Sequence, residues 1–339
     1  MLLRPFSALA LAGALWLLVS PVRAQLTMPP SAAPAADAAE VRAWLLRIHN
    51  AASQRNFTGT FVVSAGGVAS SARIAHYCEG KNQFERSESL DGQARHVLRH
   101  NDQVYTVWPA SKTAVLEQRY MPTTFPALLQ AGVDRIVDHY EVRPQGVERV
   151  AGHQANVLHV KARDELRYGY RLWADQDSGL LLRADVVAPD GAVLESSAFS
   201  DVAIGVKPQP ESVLQPIRRL DGYRLVRPVL EATRLDAEGW TLTAPAAGFR
   251  EVSCVKRPID DAVGLAGEQI VQTIYSDGLT YVSVFIERFD RSRHRNEMLA
   301  AVGATKTLMK RREDWWITVV GDVPADTLRL FARSIERKK

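Results

Sequence analysis

Short β-forming segments separated by turn residues fill most of this chain, and they restrict it to an antiparallel architecture. FTGTFVVSA (57–65), ARIAHYC (72–78), ARHVLRH (94–100), QVYTVW (103–108) and TAVLEQR (113–119) follow in close succession. Each is rich in β-branched or aromatic residues and ends at turn-forming residues. Asp91-Gly92 and Asn101-Asp102 mark hairpins. The pattern resumes at VERVAGHQANVLHVKA (147–162), YGYRLWAD (168–175), LLLRADVVA (180–188) and VLESSAFSDV (193–202). Tight turns at 176–179 and 189–192 join the last three into an antiparallel meander.

One long helix precedes the strands. In DAAEVRAWLLRIHNAASQ, Asp37 can cap the helix and Glu40 stands at capping-box distance. Val41, Trp44, Leu45 and Ile48 give it a single apolar face. The strand pattern breaks at 121–132, where Pro122 and Pro126 bracket Phe125 and Leu128-Leu129 suggests a short helix. GVKPQPESVLQP (205–216) holds three prolines among polar residues, and 205–222 reads as a linker. This divides the mature chain into a unit at 37–204 and a smaller one at 223–339. The smaller unit shows strands near 247–257, 268–276, 279–287 and 315–320. Ser276-Asp277-Gly278 reads as its hairpin turn. A closing helix runs from Pro324 to Ile335, with Leu328, Phe331 and Ile335 as its buried stripe.

Residues 1–24 have the parts of a secretory signal. Arg4 supplies the charge, 8–19 the apolar stretch, and Ala24 a small residue before the expected cleavage point. Residues 25–36 read as a disordered Pro/Ala-rich leader. The mature chain is expected to be soluble and exported. The full chain's formal net charge of +4 includes Arg4 and Arg23, which leaves +2 after cleavage. A near-neutral chain does not fit general nucleic-acid binding. Export exposes Cys78 and Cys254 to an oxidising compartment. They form either one bridge between the halves or two buried thiols, and spacing alone does not decide.

Catalytic signatures are missing: there is no G-x-S-x-G, H-E-x-x-H or P-loop pattern. His96 and His100, and His76 and Cys78, share strand faces, but a pair falls short of a zinc site. They read as solvated strand residues. No enzyme activity, metal or cofactor is expected. Two features point to binding instead. A curved sheet wrapped on a helix can leave an apolar cavity. Its candidate lining is Phe61, Val63, Ile74, Tyr105, Val107, Phe125, Leu128, Tyr170 and Leu172. The same residues could equally fill a core. Between 288 and 312, eight basic residues (288, 291, 293, 295, 306, 310, 311, 312) face two acidic ones (290, 297). That run suits a solvated face or an acidic partner steered by the local field.

GYRLWADQDSGLLLRADVVAPDGAVLESSAFSDV (169–202) resembles the closing strands of the MucB/RseB family. AGFREVSCVKRP (247–258), IYSDGLTYVSVFIER (274–288) and ITVVGDVPADTLRLFARSI (317–335) resemble its C-terminal domain. The likeness spans most of the mature chain in order. It implies an α+β fold: a LolA/LppX-like antiparallel half-barrel wrapped on helices, plus a smaller C-terminal α/β domain. It also implies a periplasmic regulator that binds the periplasmic domain of an RseA/MucA-type anti-sigma factor. The family blocks cleavage of that partner by a DegS-type site-1 protease. Lipid, lipopolysaccharide or mislocalised lipoprotein would relieve the block. Within this frame Tyr275, Tyr281, Phe285, Arg288, Arg291, Arg293, Arg295, Lys310, Arg311 and Arg312 are the candidate partner contacts. A homodimer stays open. The alternatives are a LolA-type lipid or lipoprotein carrier, against which the second domain argues, and an uncharacterised hydrolase.

Overall fold

The computed structural model describes residues 37–118, 125, 133–258 and 269–338. The signal, the leader and Leu128 lie outside the described residues. Helix α1 (Ala38–Gln54) starts where the Asp37 carboxylate accepts the Glu40 amide at 2.7 Å, satisfying one of the free N–H groups of the first turn. Its buried stripe is Val41, Leu45, Ile48, Ala51 and Ala52. Strands β1 (Phe57–Ala65), β2 (Val68–Glu79), β3 (Asn82–Ser89), β4 (His96–His100), β5 (Gln103–Trp108) and β6 (Thr113–Gln118) follow. Helix α2 (Val133–His139) leads to β7 (Tyr140–Val150), β8 (His153–Ala162), β9 (Gly169–Asp175), β10 (Leu181–Val187) and β11 (Val193–Ile204). Helix α3 (Glu211–Arg218) and β12 (Arg224–Val226) complete this half.

The twelve strands form one sheet in the order β12-β6-β5-β4-β3-β2-β1-β11-β10-β9-β8-β7. Its pairings are antiparallel apart from β12 beside β6. Alternation along a strand sends neighbouring side chains to opposite faces. Ile74 joins the main core with α1, Phe57, Tyr170, Leu172 and Phe199. Its neighbours Ala75 and Tyr77 turn to the other face, into a second cluster with Phe84, Leu98, Val107 and Val213 of α3. Residues 205–222 are therefore not a free linker: α3 lies inside that stretch and its Val213 is fully buried. Pro210 immediately precedes α3, where a missing N–H costs no helix hydrogen bond.

The rest of the chain builds a smaller sheet. Its elements are β13 (Glu231–Ala232), β14 (Trp240–Leu242), β15 (Arg250–Pro258), β16 (Gln269–Ser276), β17 (Tyr281–Arg288), β18 (Met298–Val302), β19 (Thr305–Arg312), β20 (Trp315–Gly321), α4 (Ala325–Ser334) and β21 (Ile335–Arg337). Seven strands run in the order β13-β15-β16-β17-β20-β19-β18, and β14 pairs with β21. Helix α4 covers one face, with Leu328 and Phe331 packed among Tyr275, Val284 and Val319. The Phe331 ring meets Tyr275 at 5.3 Å and Phe249 at 5.7 Å. Among the described residues, no helix is long and apolar enough to cross a membrane.

Candidate functional site at the seam between the sheets

The two halves are tied together by a buried polar cluster. Arg167 stands just before β9 and is 1% exposed. Its Nε donates to Asp164 at 2.9 Å, its Nη1 to Asp277 at 2.7 Å, and its Nη2 to the Ala247 carbonyl. Asp277, in the turn between β16 and β17, is fully buried. Its second oxygen accepts the Leu279 and Thr280 amides, and the first also accepts the Tyr140 hydroxyl, each at 2.9 Å. All of its bonding capacity is used, which a buried carboxylate requires. Burial opposes the Arg167 charge, but Asp164 and Asp277 outweigh it and raise the guanidinium pKa. Burial, then the Asp277 charge, pushes the Tyr140 phenol well up. Thr327 of α4 donates to the Leu166 carbonyl at 2.7 Å. Leu279, in the same turn as Asp277, is buried in the core of the larger half. Residues 276–278, which read as a plain hairpin turn, are thus the anchor of the seam.

A cavity of about 270 Å³ lies beside this anchor. Phe61, Val63, Phe125, Tyr170 and Glu195 face it from the larger half, and Leu279, Tyr281, Thr305 and Asp322 from the smaller. The sequence predicted four of these as lining: Phe61, Val63, Phe125 and Tyr170. Ile74 and Leu172 are core residues of the same face, and Ile74 also borders a separate open cleft. Tyr105 and Val107 do not belong to the cavity. They point to the opposite face of the sheet, under α3. Alternation marked them as apolar, but which face they joined depended on where α3 packs.

Glu195 and Asp322 meet across the seam. The Glu195 carboxylate accepts the Ala304 amide from the β18–β19 hairpin, and Asp322 accepts the Thr305 hydroxyl at 2.6 Å. Gly303 at the hairpin tip has a φ of +58°, and a Cβ there would collide with Ala65 of β1. Burial, then Asp322, raises the Glu195 pKa; burial raises that of Asp322 against the Thr305 hydroxyl. Both folded pKa values lie above the unfolded ones. Their contribution is therefore complete below the ordinary carboxylate range and is lost as pH rises through the raised values. A Glu195→Gln, Asp322→Asn double variant should melt several degrees higher than the parent at about pH 8 and show no such gain at about pH 3.5. The same gain at both pH values would refute this assignment.

The basic run gathers at one end of the smaller sheet. Register aligns Arg288, Trp315 and Arg312 on β17, β20 and β19, with Glu287, Trp316 and Arg311 in the next row. Several of its cations are structural. Arg288 covers Trp315 at 4.2 Å and Arg311 covers Phe289 at 3.9 Å. Arg293 pairs with Glu287 at 2.9 Å and Asp290 at 3.4 Å. Arg312 is half-buried, with its Nη1 out of contact with solvent. Arg291, Arg295 and Lys310 are exposed. Phe285 is half-buried on the sheet face away from α4. Two aromatic candidates are corrected. Tyr275 is a core residue against Phe331, and Tyr281 lines the seam cavity.

Both cysteines are free. Cys78 donates to the Ser53 carbonyl at 3.1 Å under α1, and Cys254 belongs to the separate core beneath α4. The bridge between halves is the Arg167–Asp277 pair instead. Burial raises the Cys78 pKa; burial, then Glu251, pushes Cys254 up to about 11. Both thiols should resist alkylation in the native protein at neutral pH and react fully after denaturation. A denatured, unreduced sample with no reactive thiol would contradict this. The histidine pairs hold no metal cluster among the described residues. His76, expected to be solvated, is buried: it stacks on Phe57 at 5.3 Å, and its Nδ1 lies 2.9 Å from the Arg55 carbonyl.

This architecture has known counterparts. The MucB/RseB N-terminal domain family matches residues 40–217, and the MucB/RseB C-terminal domain family matches 234–336. The sigma-E factor regulatory protein RseB of Salmonella typhimurium is 29% identical over 326 residues, covering 95% of this chain and 98% of that protein. The sigma factor AlgU regulatory protein MucB of Pseudomonas aeruginosa is 29% identical over 311 residues, covering 90% and 93%. The crystal structure of MucB in complex with MucA(peri) is similar at a TM-score of 0.67 and 27% identity, over 89% of this chain and 100% of that one. The Pseudomonas aeruginosa MucA/MucB complex is similar at 0.68 and 26% identity, over 88% and 99%. With both halves matched in order along the chain, this protein belongs to the MucB/RseB family.

Proposed function

We propose that this chain is a periplasmic regulatory protein that binds the periplasmic domain of an RseA/MucA-type anti-sigma factor. Bound there, it shields the partner from site-1 proteolysis and so restrains the envelope-stress sigma factor. The observation that carries this reading is the likeness, over nearly all of the described chain, to MucB as crystallised with MucA(peri). Residues 1–24 direct export, with cleavage near Ala24. The smaller half, from Glu231 onward, carries the partner contact, and its exposed Arg291, Arg295 and Lys310 suit an acidic segment. The larger half, from α1 through β12, is the lipid-sensing part.

The seam couples the two tasks. Its cavity takes walls from both halves, so an acyl chain inside it would press on the contacts that hold them together. A lipid releases the partner only as far as it favours the released arrangement over the bound one. The Arg167–Asp277 anchor sets the cost of any rearrangement. The test is a cleavage assay of a purified anti-sigma periplasmic domain by a DegS-type protease. One equivalent of this protein should slow cleavage strongly, and added lipopolysaccharide should restore it. Equal cleavage with and without the protein would sink the reading.

A further inference from the structure

Strand β18 is the outermost strand of the smaller sheet. Edge strands are normally blunted by charges, prolines, bulges or a covering element. MLAAV (298–302) has no charge and no proline, and it pairs with β19 residue for residue without a bulge. Met298, Leu299 and Val302 are 48%, 41% and 65% exposed. Val302 and Thr305 close a two-residue hairpin, so they share hydrogen bonds with each other. Alternation then turns the N–H and C=O groups of Leu299 and Ala301 away from β19. Among the described residues, no strand receives them.

The ground around this edge is basic. Met298, Leu308 and Met309 line a groove against α4 whose charged rim includes Lys310, Arg329 and Arg333. Arg329 is paired with Asp326 at 2.7 Å, and Glu297 accepts the Arg311 amide at 2.9 Å. Lys310 is exposed, and among the described residues Arg333 donates only to the Arg329 carbonyl at 3.2 Å. Exposed Arg291 and Arg295 lie in the segment entering β18. The β1–β2 turn abuts this edge at Val302 and Gly303, and the remaining stretch, with its apolar side chains and exposed positive charge, is complementary to an extended acidic segment.

We propose that β18 is a strand-addition site for an extended polypeptide segment that alternates apolar and acidic residues. The added strand takes the outward N–H and C=O groups of Leu299 and Ala301. Its apolar side chains lie along Met298 and Val302, on the face away from α4, and its carboxylates meet Lys310 and Arg333 on the α4 face. The proposal rests on the partner-binding reading and specifies how the partner is held.

The experiment is hydrogen exchange resolved to single amides on mature protein, with and without a purified RseA/MucA-type periplasmic domain. The Leu299 and Ala301 amides should slow by about tenfold or more in the complex. An Ala301→Pro variant removes an outward donor but no β19 bond, and it should weaken binding by about tenfold. A complex that forms with unchanged exchange at both amides overturns strand addition and leaves the regulator reading intact. No complex at all overturns both.

Discussion

Replacing Arg167 with alanine should lower the melting temperature by on the order of 10 °C. The substitution deletes the one cation that, among the described residues, pairs with Asp277, a carboxylate with no exposed surface. Breaking a buried pair by removing one partner costs about 3–5 kcal/mol, because the remaining charge is stranded in low dielectric. The Tyr140 hydroxyl and the Leu279 and Thr280 amides would still bond Asp277, yet none of them neutralises it. The Ala247 carbonyl and the faces of Phe249 and Tyr140 would also lose their partner. Adding Asp277→Asn to Arg167→Met should recover much of the loss, since no charge is then left buried. Differential scanning calorimetry of the three variants measures this. A melting point for Arg167→Ala within about 3 °C of the parent would contradict the anchor role of the pair.

The second large effect is on binding. Arg291→Glu, Arg295→Glu and Lys310→Glu together should weaken association with the anti-sigma periplasmic domain by about two orders of magnitude at low salt. All three side chains are exposed, so the fold should survive the change. Arg288, Arg293 and Arg311 are unsuitable for this test. They are committed to Trp315, to Glu287 and Asp290, and to Phe289. Reversing those would confound partner contact with sheet packing. Most of the loss should appear in the association rate, because exposed charges mainly steer encounter. The gap between parent and variant should narrow as ionic strength rises. Equal affinity of the two proteins would move the contact away from this end of the sheet.

Local signals made much of the fold legible. The cap at Asp37, the apolar period of α1, the turns of the meander and the Pro-led start of α4 are all encoded within a few residues. Strands β3 and β19 escaped notice because NQFERSES and TKTLMKRR carry too many polar residues to read as strands. Both sit in sheets whose neighbours supply the pairing. Helix α3 hid behind its prolines, and the packing of Val213, Leu214 and Ile217 shows that it covers the sheet. The site was half visible for the same reason. Phe61, Val63, Phe125 and Tyr170 announce an apolar wall. Asp277 looks like an ordinary turn residue, and its partner Arg167 is 110 positions away. No short-range pattern links them, so the seam emerges only from the assembled fold. Glu195 and Asp322 were invisible in the same way, since each draws its raised pKa from burial in the assembled seam.

Partner binding at the basic, partly apolar end of the smaller sheet has a direct thermodynamic readout. Calorimetric titration of mature protein with the anti-sigma periplasmic segment, from the same organism and at two salt concentrations, tests it most directly. The expected Kd is micromolar or tighter and weakens as salt is raised. No heat of binding and no complex at protein concentrations of about 50 μM would contradict it.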